Sequence, residues 1–208
     1  MIFNRAIFPL PSALLASLLS LFCLPALAES PVYKVEVLVF AHQDAAAMHE
    51  QSWSSLEVPH RPGAAQLGNG GSGSYQRLPG SNLVLTAEKN RLARQPGFRT
   101  LFHGAWYQPV GNQNSARAVR LRGGQLMPNG AYELDGYISI DRGRFLHLRP
   151  DLYYSQSLST QYANNADNSE DLGSQVLTAR LDTPRRMQAN EIHYLDNPLF
   201  GVLVLIQR

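Results

Sequence analysis

The stretch AYELDGYISIDRGRFLHLRPDLYY, Ala131 to Tyr154, decides the fold, because both of its arms alternate in polarity around one short turn. Alternation with a period of two is the mark of a strand, and two such arms joined by a glycine-containing turn make an antiparallel hairpin. A two-residue loop at Arg142-Gly143 would pair Ile140 with Phe145 and Ile138 with His147, mixing polarities on one face. A three-residue loop, Asp141-Arg142-Gly143 with Gly143 left-handed, instead pairs Ile140 with Arg144, Ile138 with Leu146, Gly136 with Leu148 and Leu134 with Pro150. This second register is predicted, since a slip of one residue inverts the faces of a strand. It places Glu133, Asp135, Tyr137 and Ser139 opposite Asp151, Arg149, His147 and Phe145, with Asp135 and Arg149 as a cross-strand ion pair.

Away from the hairpin, two segments are apolar on both faces: VEVLVF, within VYKVEVLVFA from Val32, and LFGVLVLI, Leu199 to Ile206, after the turn residues Asp196-Asn197-Pro198. Eight residues are too few for a membrane-spanning helix, so LFGVLVLI is expected as an interior strand, next to VEVLVF. FRTLFHGAWYQPV (Phe98 to Val110), ARAVRLR, VLTARLDTPRRM and EIHYL read as further strands, with Ala118, Arg120 and Arg122 on one face of theirs. One helix is expected, Ala87 to Arg94, capped by Thr86 and ended by Pro96-Gly97. The stretches 59–76 and 162–175 have the composition of flexible loops. GNGGSG in the first of them matches a dinucleotide fingerprint by letter, but has neither the strand before it nor the helix after it that the motif requires. The fold class is therefore α+β: a mainly antiparallel β-sheet with one short helix packed on a face, forming a single domain over residues 29–208.

Residues 1–28 read as a secretory signal, with Arg5, an apolar run to Leu24 and Ala26-Leu27-Ala28 before the expected cleavage site. Phe22 sits where lipoprotein processing of Cys23 would want a small residue, so no lipid anchor is expected. On this reading the mature chain is exported, contains no cysteine and does not span a membrane. Removing Arg5 leaves 17 basic residues against 16 acidic ones, too even a balance to argue for nucleic acid. The bases are nearly all arginine, only Lys34 and Lys89 being lysine, and arginine grips carboxylates and flat surfaces as lysine does not.

Nucleophilic catalysis has no constellation here: there is no G-x-S-x-G and no cysteine after residue 23. The six histidines show no metal-ligand spacing, and no cofactor motif occurs. Glu133 and Asp135 are the one acidic pair that would serve a carbohydrate-cleaving hydrolase, the alternative reading. The favoured reading is a binding surface formed by Tyr137, His147 and Arg149, with Arg120 and Arg122 and with Arg185 and Arg186 on neighbouring strands or turns. His193 is expected to be structural. For an exported protein the abundant anionic polymer is the cell wall, whose stem peptides carry carboxylates.

The segments GRFLHLRPDLYY (Gly143 to Tyr154) and RRMQANEIHYLDNPLFGVLVLI (Arg185 to Ile206) resemble the CsiV family of periplasmic proteins, as do the signal, the first strand and LDGYISIDRGRFLHL. The resemblance implies a non-enzymatic protein that binds peptidoglycan. It also implies support of cell-wall synthesis through an outer-membrane lipoprotein activator, LpoA-like, of a class A penicillin-binding synthase. It assigns no ligand residues.

Overall fold

The computed structural model describes residues 30–42, 56–70, 73–157 and 176–208. Residues 1–28, expected as a secretory signal, and the stretch 162–175 lie outside the described residues. The chain forms β1 (Val32–His42), β2 (Ala65–Gln66), helix α1 (Thr86–Ala93), β3 (Phe98–Pro109), β4 (Val119–Leu126) and β5 (Tyr132–Arg142). It continues through β6 (Leu146–Ser157), β7 (Val176–Leu181), β8 (Arg185–Met187), β9 (Ile192–Asn197) and β10 (Phe200–Gln207). The strands build two sheets rather than one, in the orders β3-β1-β10-β9 and β2-β4-β5-β6-β7, with β8 also pairing β6.

The two segments apolar on both faces are the central strands of the first sheet, β1 and β10, antiparallel neighbours with Val37 opposite Val204. Val35, Val37, Val39 and Ala41 join Val202, Val204 and Ile206 in the core between the sheets, with Trp106 and Ile138. On the opposite face Leu38, Phe40 and Leu205 pack with Leu85 and Leu92 at the helix. Each fully buried aliphatic of this kind contributes roughly 1.5–3 kcal/mol relative to exposure, so both faces must stay apolar.

The helix begins at Thr86, and the Thr86 hydroxyl reaches only the carbonyl of Leu83, so the expected threonine cap is not made. The turn just before the helix is instead fastened by Glu36 of β1, whose carboxylate accepts the N–H groups of Val84 and Leu85, each at 2.8 Å. His103 Nε2 lies 2.9 Å from the same carboxylate, and Glu36 is only 1 % exposed. Burial pushes the Glu36 carboxyl up, but the bonds from His103, Val84 and Leu85 together outweigh it and hold the group below its ordinary value. Gly97, at φ +101°, ends the helical region in a conformation that favours glycine.

In the second sheet the β5–β6 hairpin has the predicted faces and a different register. Arg142 pairs with Leu146, Ile140 with Leu148, Ile138 with Pro150 and Gly136 with Leu152, so the loop is Gly143-Arg144-Phe145. The shift from the predicted pairing is an even number of residues, which preserves faces while changing every partner. Gly143 does not adopt the left-handed conformation; Gly136 does have positive φ, +148°, and a Cβ there would lie 2.3 Å from the carbonyl oxygen of Asp151. The close approach of the β6 backbone at Gly136 fixes the register where the turn glycine does not. The predicted Asp135–Arg149 ion pair is consequently absent: Arg149 binds Asp141 at 2.7 Å, and Asp135 binds Arg120.

β7 and β8 lie on the same side of β6 in a common register, Leu181 opposite Leu152 and Arg185 opposite Leu148. Pro184, which has no N–H to give a ladder, stands in the break between them. At one corner Gly123 of β4 meets the carbonyl of Leu101 in β3, and Arg99 forks onto Glu133 at 2.9 and 2.8 Å. The stretch 59–76, expected as loop, contributes β2, parallel to β4, and seats Leu67 and Tyr75 against the core. Among the described residues no helix is long and apolar enough to cross a membrane, and no cluster of histidine, cysteine and carboxylate side chains could hold a metal.

Candidate functional site

The outer face of the second sheet carries rows of arginine, aspartate and aromatic side chains, because alternate residues of each strand point away from the core. One row runs Arg122–Asp135–Tyr153–Arg180 across β4, β5, β6 and β7. The next begins Arg120–Tyr137–Asp151, and toward the hairpin turn Ser139 lies beside Arg149 and Asp141 beside His147 and Arg186. The register therefore brings side chains from four strands and β8 onto one surface.

Most of these charges are neutralised in place. Arg120 grips Asp135 with two bonds of 2.8 and 2.7 Å, and Arg122 approaches the same carboxylate at 3.5 Å. Asp151 accepts from Arg61 at 2.5 Å and from Arg180 at 2.9 Å. Hydrogen bonding to Asp135 raises the Arg120 guanidinium above its ordinary value, and hydrogen bonding to Asp151 does the same for Arg180. The cations are also stacked: Arg61 and Arg120 lie over the Tyr137 ring at 5.1 and 5.7 Å, and Arg180 lies over Tyr153 at 5.4 Å.

The structure places the predicted site residues unequally. Tyr137, His147 and Arg149 share the outer face, as expected, and Arg120, Arg122 and Arg186, expected only on neighbouring strands or turns, lie on the same face. Tyr137 is 2 % exposed beneath its guanidiniums and works as a platform for them rather than as a contact for a ligand. His147 Nδ1 is buried 3.5 Å from Asp141 and has no hydrogen-bond partner among the described residues. Arg185 has the opposite parity to Arg186, pairing with the inward-facing Leu148, so it flanks the face without belonging to it. His193 accepts the Gln188 N–H at 3.0 Å, which is structural.

A family model described as peptidoglycan-binding protein, CsiV, matches residues 13–208. The chain belongs to the CsiV family. No curated protein and no solved structure matches it.

For a CsiV protein the informative part of the face is the part sequence reasoning did not select. Sequence reasoning misses Arg61 because it lies in a stretch read as flexible loop, Arg180 because its strand carries no sign of which strand it pairs with, and Arg144 and Phe145 because their partners follow from a shifted register. At the β5–β6 turn Phe145 is 43 % exposed, with Arg186 over its ring at 4.7 Å and Arg144 at 5.5 Å. Arg142, Arg144, Arg185 and Arg186 are exposed, and none has a carboxylate partner among the described residues. The face thus has a neutralised middle and a cationic end. At the other end of β5 a groove of about 380 Å³ is lined by Tyr132, Asp135, Tyr153, Ser155 and Thr178 together with Glu57.

The candidate hydrolytic pair takes separate partners. Glu133 is gripped through both oxygens by Arg99 and also accepts the Gln125 N–H at 2.7 Å, while Asp135 is gripped by Arg120. Those bonds occupy the oxygens that a proton donor or a nucleophile would need free.

Proposed function

We propose that the protein is a non-enzymatic, periplasmic peptidoglycan-binding protein, exported by its N-terminal signal, that supports cell-wall synthesis by associating with an LpoA-like outer-membrane lipoprotein activator of a class A penicillin-binding synthase. The carrying observation is the family match over residues 13–208. The outer face of the second sheet is compatible with it: at its hairpin end Arg144 and Arg186 lie over the Phe145 ring with no carboxylate partner among the described residues, leaving donors for a polymer rich in carboxylates. Contacts that are weak singly retain a protein on such a polymer through repetition. The bonds made by Glu133 and Asp135 favour binding over cleavage.

The test is co-sedimentation with purified sacculi at low and physiological salt, with product analysis of the supernatant. The protein is expected in the pellet and no soluble muropeptides are expected. Failure to pellet at either salt overturns the binding role, and muropeptide release abolished by Glu133→Gln or Asp135→Asn would establish the hydrolase instead. Capture of the lipoprotein activator from detergent-solubilised envelopes tests the partner separately.

A further inference from the structure

We propose that the β5–β6 turn, with Phe145 as a platform for Arg144 and Arg186, is where this protein takes hold of peptidoglycan, and that its ligand there is the carboxylates of the stem peptides rather than the sugars. The inference rests on the peptidoglycan-binding reading and adds to it a place and a chemical class of ligand.

Elsewhere on the face, the guanidiniums of Arg61, Arg120, Arg149 and Arg180 already satisfy Asp151, Asp135 and Asp141. An incoming carboxylate would have to displace those bonds. At the turn Arg144 and Arg186 have no such partner among the described residues, so their donors are available. The Phe145 ring holds both guanidiniums near it, at 5.5 and 4.7 Å, and a guanidinium restrained without a carboxylate partner is suited to bidentate carboxylate recognition. The cations that stack on the ring compete with a sugar for it, although 43 % of Phe145 is exposed. Arg142 and Arg185 add positive charge alongside without an aromatic platform of their own among the described residues, which favours an anionic ligand over a neutral one. The turn is anchored by the Arg142 N–H, which donates to the carbonyl of Gly111 at 2.7 Å.

The experiment compares the full protein with the double variants Arg144→Ala/Arg186→Ala and Arg144→Lys/Arg186→Lys, each checked for an unchanged thermal midpoint. Each is sedimented with intact sacculi and with sacculi whose free carboxylates have been converted to amides by carbodiimide coupling, which leaves the glycan and the crosslinks in place. The unaltered protein is expected to bind intact sacculi about tenfold or more tightly than the amidated sacculi, and the alanine variant is expected to lose that difference. The lysine variant keeps the charge but not the fork and is expected to recover only a small part of the binding. Equal binding of the unaltered protein to both kinds of sacculus would overturn the choice of ligand, and full binding by the alanine variant would overturn the place. Full binding by the lysine variant would reduce the site to unspecific charge and overturn fork recognition. None of these results touches the broader reading, which falls only if the unaltered protein binds no sacculi at all.

Discussion

Replacing Glu36 with alanine is expected to lower stability by about 3–5 kcal/mol, a drop in thermal midpoint on the order of 10 °C for a domain of this size. The change removes the acceptor of the Val84 and Leu85 N–H groups and the partner of His103, and Glu36 is 1 % exposed, so water cannot easily take its place. Each buried donor left without a partner costs about 1–3 kcal/mol. Glu36→Gln is expected to cost less, because one oxygen remains, but its amide nitrogen must then face a backbone N–H. The effect also has a pH signature. The Glu36 carboxyl is held below its ordinary value in the folded protein, so its contribution is complete above the ordinary carboxylate range and is lost as the pH falls through the lower folded value. Thermal unfolding followed from pH 7 to pH 3 should show a steeper acid loss in the unaltered protein than in Glu36→Gln. Parallel curves, or a midpoint unchanged by Glu36→Ala, would show that the carboxylate does not hold the helix to the sheet.

Which residues face the core could be read from the sequence because strand faces follow from parity alone. Val35, Val37 and Val39 on one side of β1, and Leu38 and Phe40 on the other, announce a strand covered on both faces. Parity does not say what covers each side, and the division into two sheets with a helix outside the first depends on contacts between residues far apart, such as Val37 with Val204. The entry to the helix is hidden for the same reason: Thr86 is a local signal, whereas the carboxylate that fastens the turn before the helix is Glu36, some fifty residues earlier in the chain. At the site, parity collects Tyr137, His147 and Arg149 on one face of the hairpin and Arg120 and Arg122 on one face of their strand; that the two faces are continuous is known only from the pairing of β4 with β5. Pairing within the face required the register, and an even slip is invisible to a pattern of period two. Asp135 was therefore given to Arg149 instead of Arg120, and Phe145 was placed across from Ser139 instead of at the turn.

The residue that fixes that register is Gly136, and Gly136→Ala is the second large effect expected, a loss of about 3–5 kcal/mol from combined strain and overlap. At φ +148° an alanine is strained before any contact is considered. Its Cβ would then stand 2.3 Å from the Asp151 carbonyl oxygen and 2.8 Å from the Leu152 Cα, both backbone atoms of the paired strand, so no side-chain rotation can relieve the overlap. Relief requires β6 to move away or to slip, and a slip carries consequences beyond stability. Asp151 is the carboxylate shared by Arg61 and Arg180, and Asp141 is paired with Arg149 across the same hairpin. Moving β6 by two residues keeps its apolar face inward but separates Arg149 and His147 from Asp141 and changes the neighbours of Phe145 and Arg186 at the turn. The measurements are chemical denaturation for the loss itself and sacculus co-sedimentation below the unfolding transition for the slip. A destabilised variant that still binds fully would mean that β6 shifts without disturbing the turn. Stability equal to that of the unaltered protein would mean that the close approach at Gly136 does not set the register at all.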